Sequence, residues 1–205
     1  MKSKSAPRLL LALLAVSLGV LPACTSRPSL VRERFGIPVP PPAAPAPGAT
    51  TILALPSPEV AAAFDRIAFV YRTGESTFET DPYAQLLAPP RELLGEALRG
   101  HLQAAGLFRD VTRSSRGSDL VARVTVTEMY GDFRRREAPA AVLALRVTVS
   151  RPGAPAAGPL LSEGYFRSEP IPARRPADLA AGIDRAITQI AAGIVADLKV
   201  AAIAR

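Results

Sequence analysis

The segment DLVARVTVTEMY, Asp119–Tyr130, decides the fold class. Leu120, Ala122, Val124 and Val126 alternate with Val121, Arg123, Thr125 and Thr127. A period of two residues is the mark of a strand with one buried face. Beyond a Gly131-Asp132 turn signal, Ala140–Ser150 repeats the pattern. There Leu143, Leu145, Val147 and Val149 lie on one face, with Arg146 and Thr148 opposite. Leu160–Ser168, with Tyr165 and Phe166, reads as a third, weaker strand after Pro152-Gly153 and Gly158-Pro159. Short connections predict antiparallel neighbours.

Helical spacing flanks these strands. After Pro89-Pro90, Leu94, Ala97, Leu98, His101, Leu102 and Ala105 recur at the spacing of one helix face, and Gly106 fits the position that ends it. Leu107-Phe108 would tuck under that end. From about Pro176, Leu179, Ile183, Ala186, Ile187, Ile190, Ile194 and Leu198 form an apolar stripe, with Asp184, Arg185, Gln189, Asp197 and Lys199 off it. Upstream, Thr51–Leu55 and Arg66–Arg72 read as strands, the second with Ile67, Phe69 and Tyr71 alternating with Ala68 and Val70. Thr73–Leu87 reads as a long loop. The expected fold is α+β: a mostly antiparallel sheet of about five strands with two helices packed on one face.

The N-terminus has a different character. Lys2, Lys4 and Arg8 precede an apolar run, Leu9–Val20, which is too short to span a bilayer and fits a secretion signal. It ends in Leu21-Pro22-Ala23-Cys24, which resembles the lipobox of bacterial lipoproteins. Cys24 is the single cysteine of the chain and the expected acylation site. The expected organisation is a signal peptide over 1–23, an acylated, Pro/Ala-rich tether over 24–48, and a periplasmic domain over 49–205. Removing Lys2, Lys4 and Arg8 takes the formal charge from +7 to +4. Arg27, Arg32 and Arg34 follow the lipid site, where they could meet anionic head groups. No aromatic RNA-binding motif interleaves the arginines, so nucleic acid is not an expected partner.

Catalytic chemistry finds no foothold in these residues. His101 is the single histidine and falls beside an apolar helix face, so neither a zinc site nor a serine–histidine pair is expected. No Gly-rich phosphate loop occurs. Glu128, Asp132, Glu137 and Glu163 sit near strand ends or on presumed exposed faces, where a solvated charge is the simpler account. No metal and no cofactor are expected beyond the covalent diacylglycerol and N-acyl chain on Cys24. The candidate partner-binding residues are Phe78 and Tyr83 in the long loop, and Arg134, Arg135 and Arg136 in a turn.

Several segments, in order, resemble the ABC-type transport auxiliary lipoproteins over most of residues 50–200. They are Arg66–Arg72, the Tyr83 loop, Pro90 through Leu93-Leu94, and Leu98 to Gly106-Leu107-Phe108. Ser118-Asp119-Leu120, Tyr130-Gly131-Asp132-Phe133 and the alanine-rich last helix follow. The resemblance implies a non-enzymatic, lipid-anchored subunit of a lipid-transport machine. Its partners would be an MCE-domain substrate-binding protein and, through it, an ABC permease and ATPase. The implied place is the periplasmic side of the envelope, at the outer rather than the inner membrane, and a homo-oligomer is compatible with it. Two other lipoprotein classes fit the same layout: an activator of a peptidoglycan synthase, and an outer-membrane assembly lipoprotein.

Overall fold

The computed structural model describes residues 32–153 and 158–203. Cys24 and the signal segment lie outside the described residues. The elements run β1 (Glu33–Phe35), β2 (Ile52–Ala54), β3 (Glu59–Val60), β4 (Ala68–Arg72), β5 (Phe78–Leu86), α1 (Pro90–Ala104), β6 (Asp110–Thr112), β7 (Leu120–Asp132), β8 (Ala140–Ser150), β9 (Leu161–Pro170) and α2 (Pro176–Ile203).

Strands β7 and β8, whose apolar residues alternate, form the spine. Strand β7 pairs antiparallel with β8 along its full length, and β8 pairs antiparallel with β9. The other edge of β7 is served by three short strands laid end to end. Leu53 of β2 lies beside Leu120, Val60 of β3 beside Val126, and Tyr71 of β4 beside Gly131, all parallel to β7. Outside them, β6 adds parallel to β2, β5 antiparallel to β4, and β1 parallel to β5.

The expectation of a mostly antiparallel sheet of about five strands is therefore wrong. The sheet is mixed and has nine strands among the described residues. The physical reason is the length of β7. Its thirteen residues span about 40 Å at 3.3 Å per residue, more than any one upstream strand can cover. Pro56 and Pro58 interrupt the upstream chain because proline cannot donate to a ladder. That chain keeps its direction and resumes pairing further along the same edge. Ala61 N–H extends the pairing to β7 by donating to Val126 O at 2.9 Å, while Leu55 N–H extends the pairing to β6 by donating to Thr112 O at 2.8 Å.

A bulge near Thr127 shifts the register of β7. Ala122, Val124 and Val126 face the main core, and after the bulge Met129 faces it too, leaving Tyr130 on the opposite face. The α2 stripe is buried throughout: Leu179, Ala186, Ile187 and Ile190 have no exposed surface. Although α2 is long and apolar enough to cross a membrane by composition alone, that apolar side is spent on the core. Tyr165 of β9 donates to Asp197 of α2 at 2.7 Å, fixing the far end of the helix. Gly106 has φ +69°, a left-handed conformation that ends α1 as expected, and Phe108 is buried behind it.

The Pro/Ala-rich stretch differs from a free spacer. Residues 33–35 form β1, Ile37 is buried in the core, and Val39 and Pro40 lie over Gly100 of α1. Further on, Ala46 N–H donates to Gly106 O at 3.0 Å. Ile37 is the apolar anchor that holds this otherwise featureless segment to the domain.

Candidate partner-binding surface

Thr73–Leu87 is not a loop. A tight turn, closed by Thr73 N–H to Thr77 O at 3.0 Å, leads into β5. The strand pattern is masked by Pro82, a residue that cannot donate to a ladder. In the structure Pro82 sits in a bulge, where a ladder hydrogen bond is not required. On β4, Ala68 and Val70 are separated by one residue, but their partners Gln85 and Thr80 are separated by four. Asp81 organises the extra residues. Its carboxylate accepts from Tyr83 N–H at 2.7 Å, Ala84 N–H at 2.8 Å and the Tyr71 hydroxyl at 2.6 Å. Burial works to raise the Asp81 pKa, but these three donors outweigh it and hold the carboxyl below its usual value. Burial, then the same hydrogen bond, pushes the Tyr71 phenol far above its usual value.

The bulge separates two residues that the sequence grouped. Phe78 starts β5 and packs on the face away from the helices. Its ring meets Phe64 at 6.1 Å and Tyr130 at 5.6 Å, and Phe64 stacks on Tyr130 at 5.7 Å. Arg72, paired in register with Phe78, holds its guanidinium 5.7 Å from that ring. Tyr83 instead sits on the bulge, half exposed, in the part of β5 that meets β1.

The arginine turn joins the Phe78 end. Arg134 donates to Asp132 at 2.7 and 3.0 Å and to Glu75 at 3.2 Å, linking the β7–β8 turn to the β4–β5 turn. Arg72 lies beside Asp132 in register and 3.7 Å from Glu75. The hydrogen bond from Arg134 holds Asp132 below the ordinary carboxylate range, with burial opposing it. Arg135 and Arg136 are exposed and take no part in the ion pairs among the described residues. Tyr130 donates to Glu128 at 3.3 Å, and burial is the largest cause raising its phenol above the usual value. A shallow cleft of about 240 Å³ between the turns is lined by Glu75, Asp132, Arg134, Arg135, Ala138, Ala140 and Ser168.

The structure thus puts Phe78 and the arginine turn at one end of β4, linked through Arg72 and Glu75, and leaves Tyr83 elsewhere. Sequence reasoning missed Arg72, Phe64 and Tyr130, which join the two turns. Arg72 was visible as a cation at the end of an apolar strand, but nothing in the sequence paired it with Asp132. His101 sits half-buried where α1 meets α2, its Nε2 3.5 Å from Thr188 Oγ1. Burial lowers its pKa, and Asp184 partly offsets this. Among the described residues no group of three or more His, Cys, Asp and Glu is arranged to hold a metal ion.

Solved structures share this fold. The protein XCC0632 from Xanthomonas campestris superposes with a TM-score of 0.67 at 20% identity, over 80% of this chain and 92% of its own. An uncharacterized protein superposes with a TM-score of 0.67 at 16% identity, over 82% of this chain and 99% of its own. A search of curated proteins gave no significant match. The family model for the ABC-type transport auxiliary lipoprotein component matches residues 35–195, from β1 into the last turns of α2, and the chain belongs to that family.

Proposed function

We propose that the protein is a non-enzymatic, lipid-anchored subunit of an ABC-type lipid-transport system, acylated at Cys24. It holds an MCE-domain substrate-binding protein at the outer membrane and, through that protein, engages the permease and ATPase. Family membership supports the transport and lipoprotein parts. The MCE partner and the outer membrane follow from the resemblance of the sequence and from Thr25. In enteric-type sorting an aspartate in that position retains lipoproteins in the inner membrane.

The observation that carries the docking role is the joined pair of turns. Arg134 is consumed by Asp132 and Glu75, and so fixes the geometry of the surface. Arg135 and Arg136 are exposed in the same turn, and half-exposed Phe78 lies at the same end of the sheet, against Arg72. A preorganised aromatic and arginine pair is the composition of interface anchors.

The test is capture of the cognate MCE-domain protein by Arg135→Glu/Arg136→Glu and by Phe78→Ala. Each variant should stay folded by circular dichroism and lose at least tenfold in affinity, about 1.4 kcal/mol. Tyr83→Ala should capture normally, because it lies elsewhere. Folded variants that all bind at wild-type affinity would remove this surface. Failure of the wild-type protein to bind would remove the MCE assignment. Palmitate labelling of wild type and of Cys24→Ala tests the anchor independently, and equal labelling would end the lipoprotein assignment.

A further inference from the structure

Docking of the Pro/Ala-rich stretch starts the folded domain nine positions after the proposed acylation site. Pairing begins at Glu33. From Cys24 to Arg32 a fully extended chain reaches about 30 Å at most. Acylation at Cys24 would keep the domain within that reach of the lipid surface, and Arg32, its first described residue, marks one corner. Register identifies that corner. Glu33 pairs with Ala84, so Arg32 enters beside Tyr83. At the other end of β1, Leu87 N–H donates to Phe35 O at 2.8 Å, and Leu86 N–H donates to Ile67 O at 2.6 Å.

Three of the large apolar side chains exposed among the described residues lie along this edge: Tyr83 at 48% where the β1 pairing starts, and Ile67 at 43% and Leu87 at 62% where it ends. Exposed cations lie on the same segments: Arg32 and Arg34 on the entering chain, and Arg66 just before β4. The acids nearby offset this charge only in part, because Asp81, held by neutral donors, and Glu33 keep their charges and leave three arginines against two carboxylates. Asp65 is paired with Arg91, Asp81 is committed to its bulge, and Glu33 is the one exposed acid on β1. Half-exposed aliphatic and aromatic side chains set among arginines are what an interface of head groups and acyl chains accepts. The turn surface assigned to the protein partner lies at the other end of β4 and β5.

We infer that the Ile67–Tyr83–Leu87 corner, with Arg34 and Arg66, is a membrane-contacting patch that seats the domain on an anionic lipid surface. This rests on acylation at Cys24. The short tether keeps the local concentration of lipid high, so a weak patch suffices once the anchor is inserted. With this corner down, the Arg134–Arg136 end faces the periplasm.

The experiment uses the full acylated protein in vesicles of phosphatidylethanolamine and phosphatidylglycerol. A polarity-sensitive fluorophore is placed by Leu87→Cys or Ile67→Cys, and by Phe166→Cys on β9 as a control, the Cys24 thiol being blocked by its lipid. Fluorophores at 67 and 87 should shift to the blue and be quenched several-fold more by spin-labelled lipid than the one at 166. Adding Arg34→Glu and Arg66→Glu should abolish the difference while the protein still floats with the vesicles. Equal quenching at all three positions in floating protein overturns the patch and spares the anchor. Protection at 67 and 87 that persists in detergent and rises with protein concentration assigns the corner to a second copy, and also overturns it. Protein that does not float with vesicles removes the anchor and the patch together.

Discussion

Replacing Gly182 with alanine tests how closely α2 lies on the sheet. A Cβ built at Gly182 would stand 2.5 Å from Ala141 Cβ and 2.7 Å from Ile171 Cγ2. Carbon atoms rest at about 3.5–4.0 Å, so α2 must retreat by roughly 1 Å at this point. The neighbouring contacts of Leu179, Ile183 and Ala186 with the sheet would loosen with it. Overpacking of this kind costs about 1–3 kcal/mol. The upper end applies, because the Ala141 methyl is fixed to the backbone of β8 and cannot rotate aside. Alanine returns about 1 kcal/mol of helix propensity, so the net loss is about 2 kcal/mol. For a domain of this size that lowers Tm by roughly 4–8 °C. Urea and thermal unfolding followed by circular dichroism measure it. Gly193→Ala is the comparator. Its Cβ would meet only the edge of the Tyr165 ring at 3.3 Å, so it should be neutral or slightly stabilising. Gly182→Ala with wild-type or higher stability would refute the close approach of α2 to β8.

Ile187→Asp places a carboxylate at a position with no exposed surface, and should cost about 4 kcal/mol or more, seen as loss of protease-resistant domain. Gly106→Ala forces a side chain into φ +69° and should cost about 1–2 kcal/mol, read from the urea midpoint. Asp81→Asn has a pH signature. Because the folded-state pKa of Asp81 lies below its unfolded value of 3.8, its contribution is present above that value and is lost as pH falls through the folded one. The variant should therefore be less stable than wild type at neutral pH, and the gap should close in acid. A gap independent of pH would show that the carboxylate charge is not what holds the bulge.

What the sequence made legible was decided by each segment's own pattern. Strands β7 and β8 and helix α2 bury one continuous face, so their periodicity appears without reference to anything else. Strands β1, β3, β5 and β6 carry no such pattern. Two residues, Glu59 and Val60, are a strand only because the edge of β7 beside Thr125 and Val126 is open to them. Strand β5 was hidden by Asp81-Pro82, whose role depends on Tyr71 in another strand. The parallel pairing was illegible for the same reason: turn lengths speak of chain neighbours, and β4 and β7 are separated by a strand, a helix and another strand. The partner surface was half legible. Phe78 and Arg134–Arg136 stood out as residue types, but their union depends on Arg72, Glu75 and Asp132 meeting across strands. Tyr83, grouped with Phe78 by nearness in sequence, was carried off by the bulge. Ile37 was too isolated to announce that its proline-rich surroundings are docked.

The end-to-end placement of β2, β3 and β4 on one edge of β7 also sets the order in which the molecule can be assembled. Synthesis delivers those three strands first and their common template last: Leu53 must wait for Leu120, and Tyr71 for Gly131. Those gaps of about sixty residues are roughly 3–12 s at about 5–20 residues per second, whereas a hairpin closes in microseconds. Strands β4 and β5 can pair with each other at once, but Leu53, Ala54 and Leu55, all buried in the finished fold, have nothing to bury against during that interval. A chain truncated before β7 would keep them in that state permanently. The vulnerable species of this protein is thus the half-made one, and a factor that shields its early strands would act before the domain has any native surface to recognise.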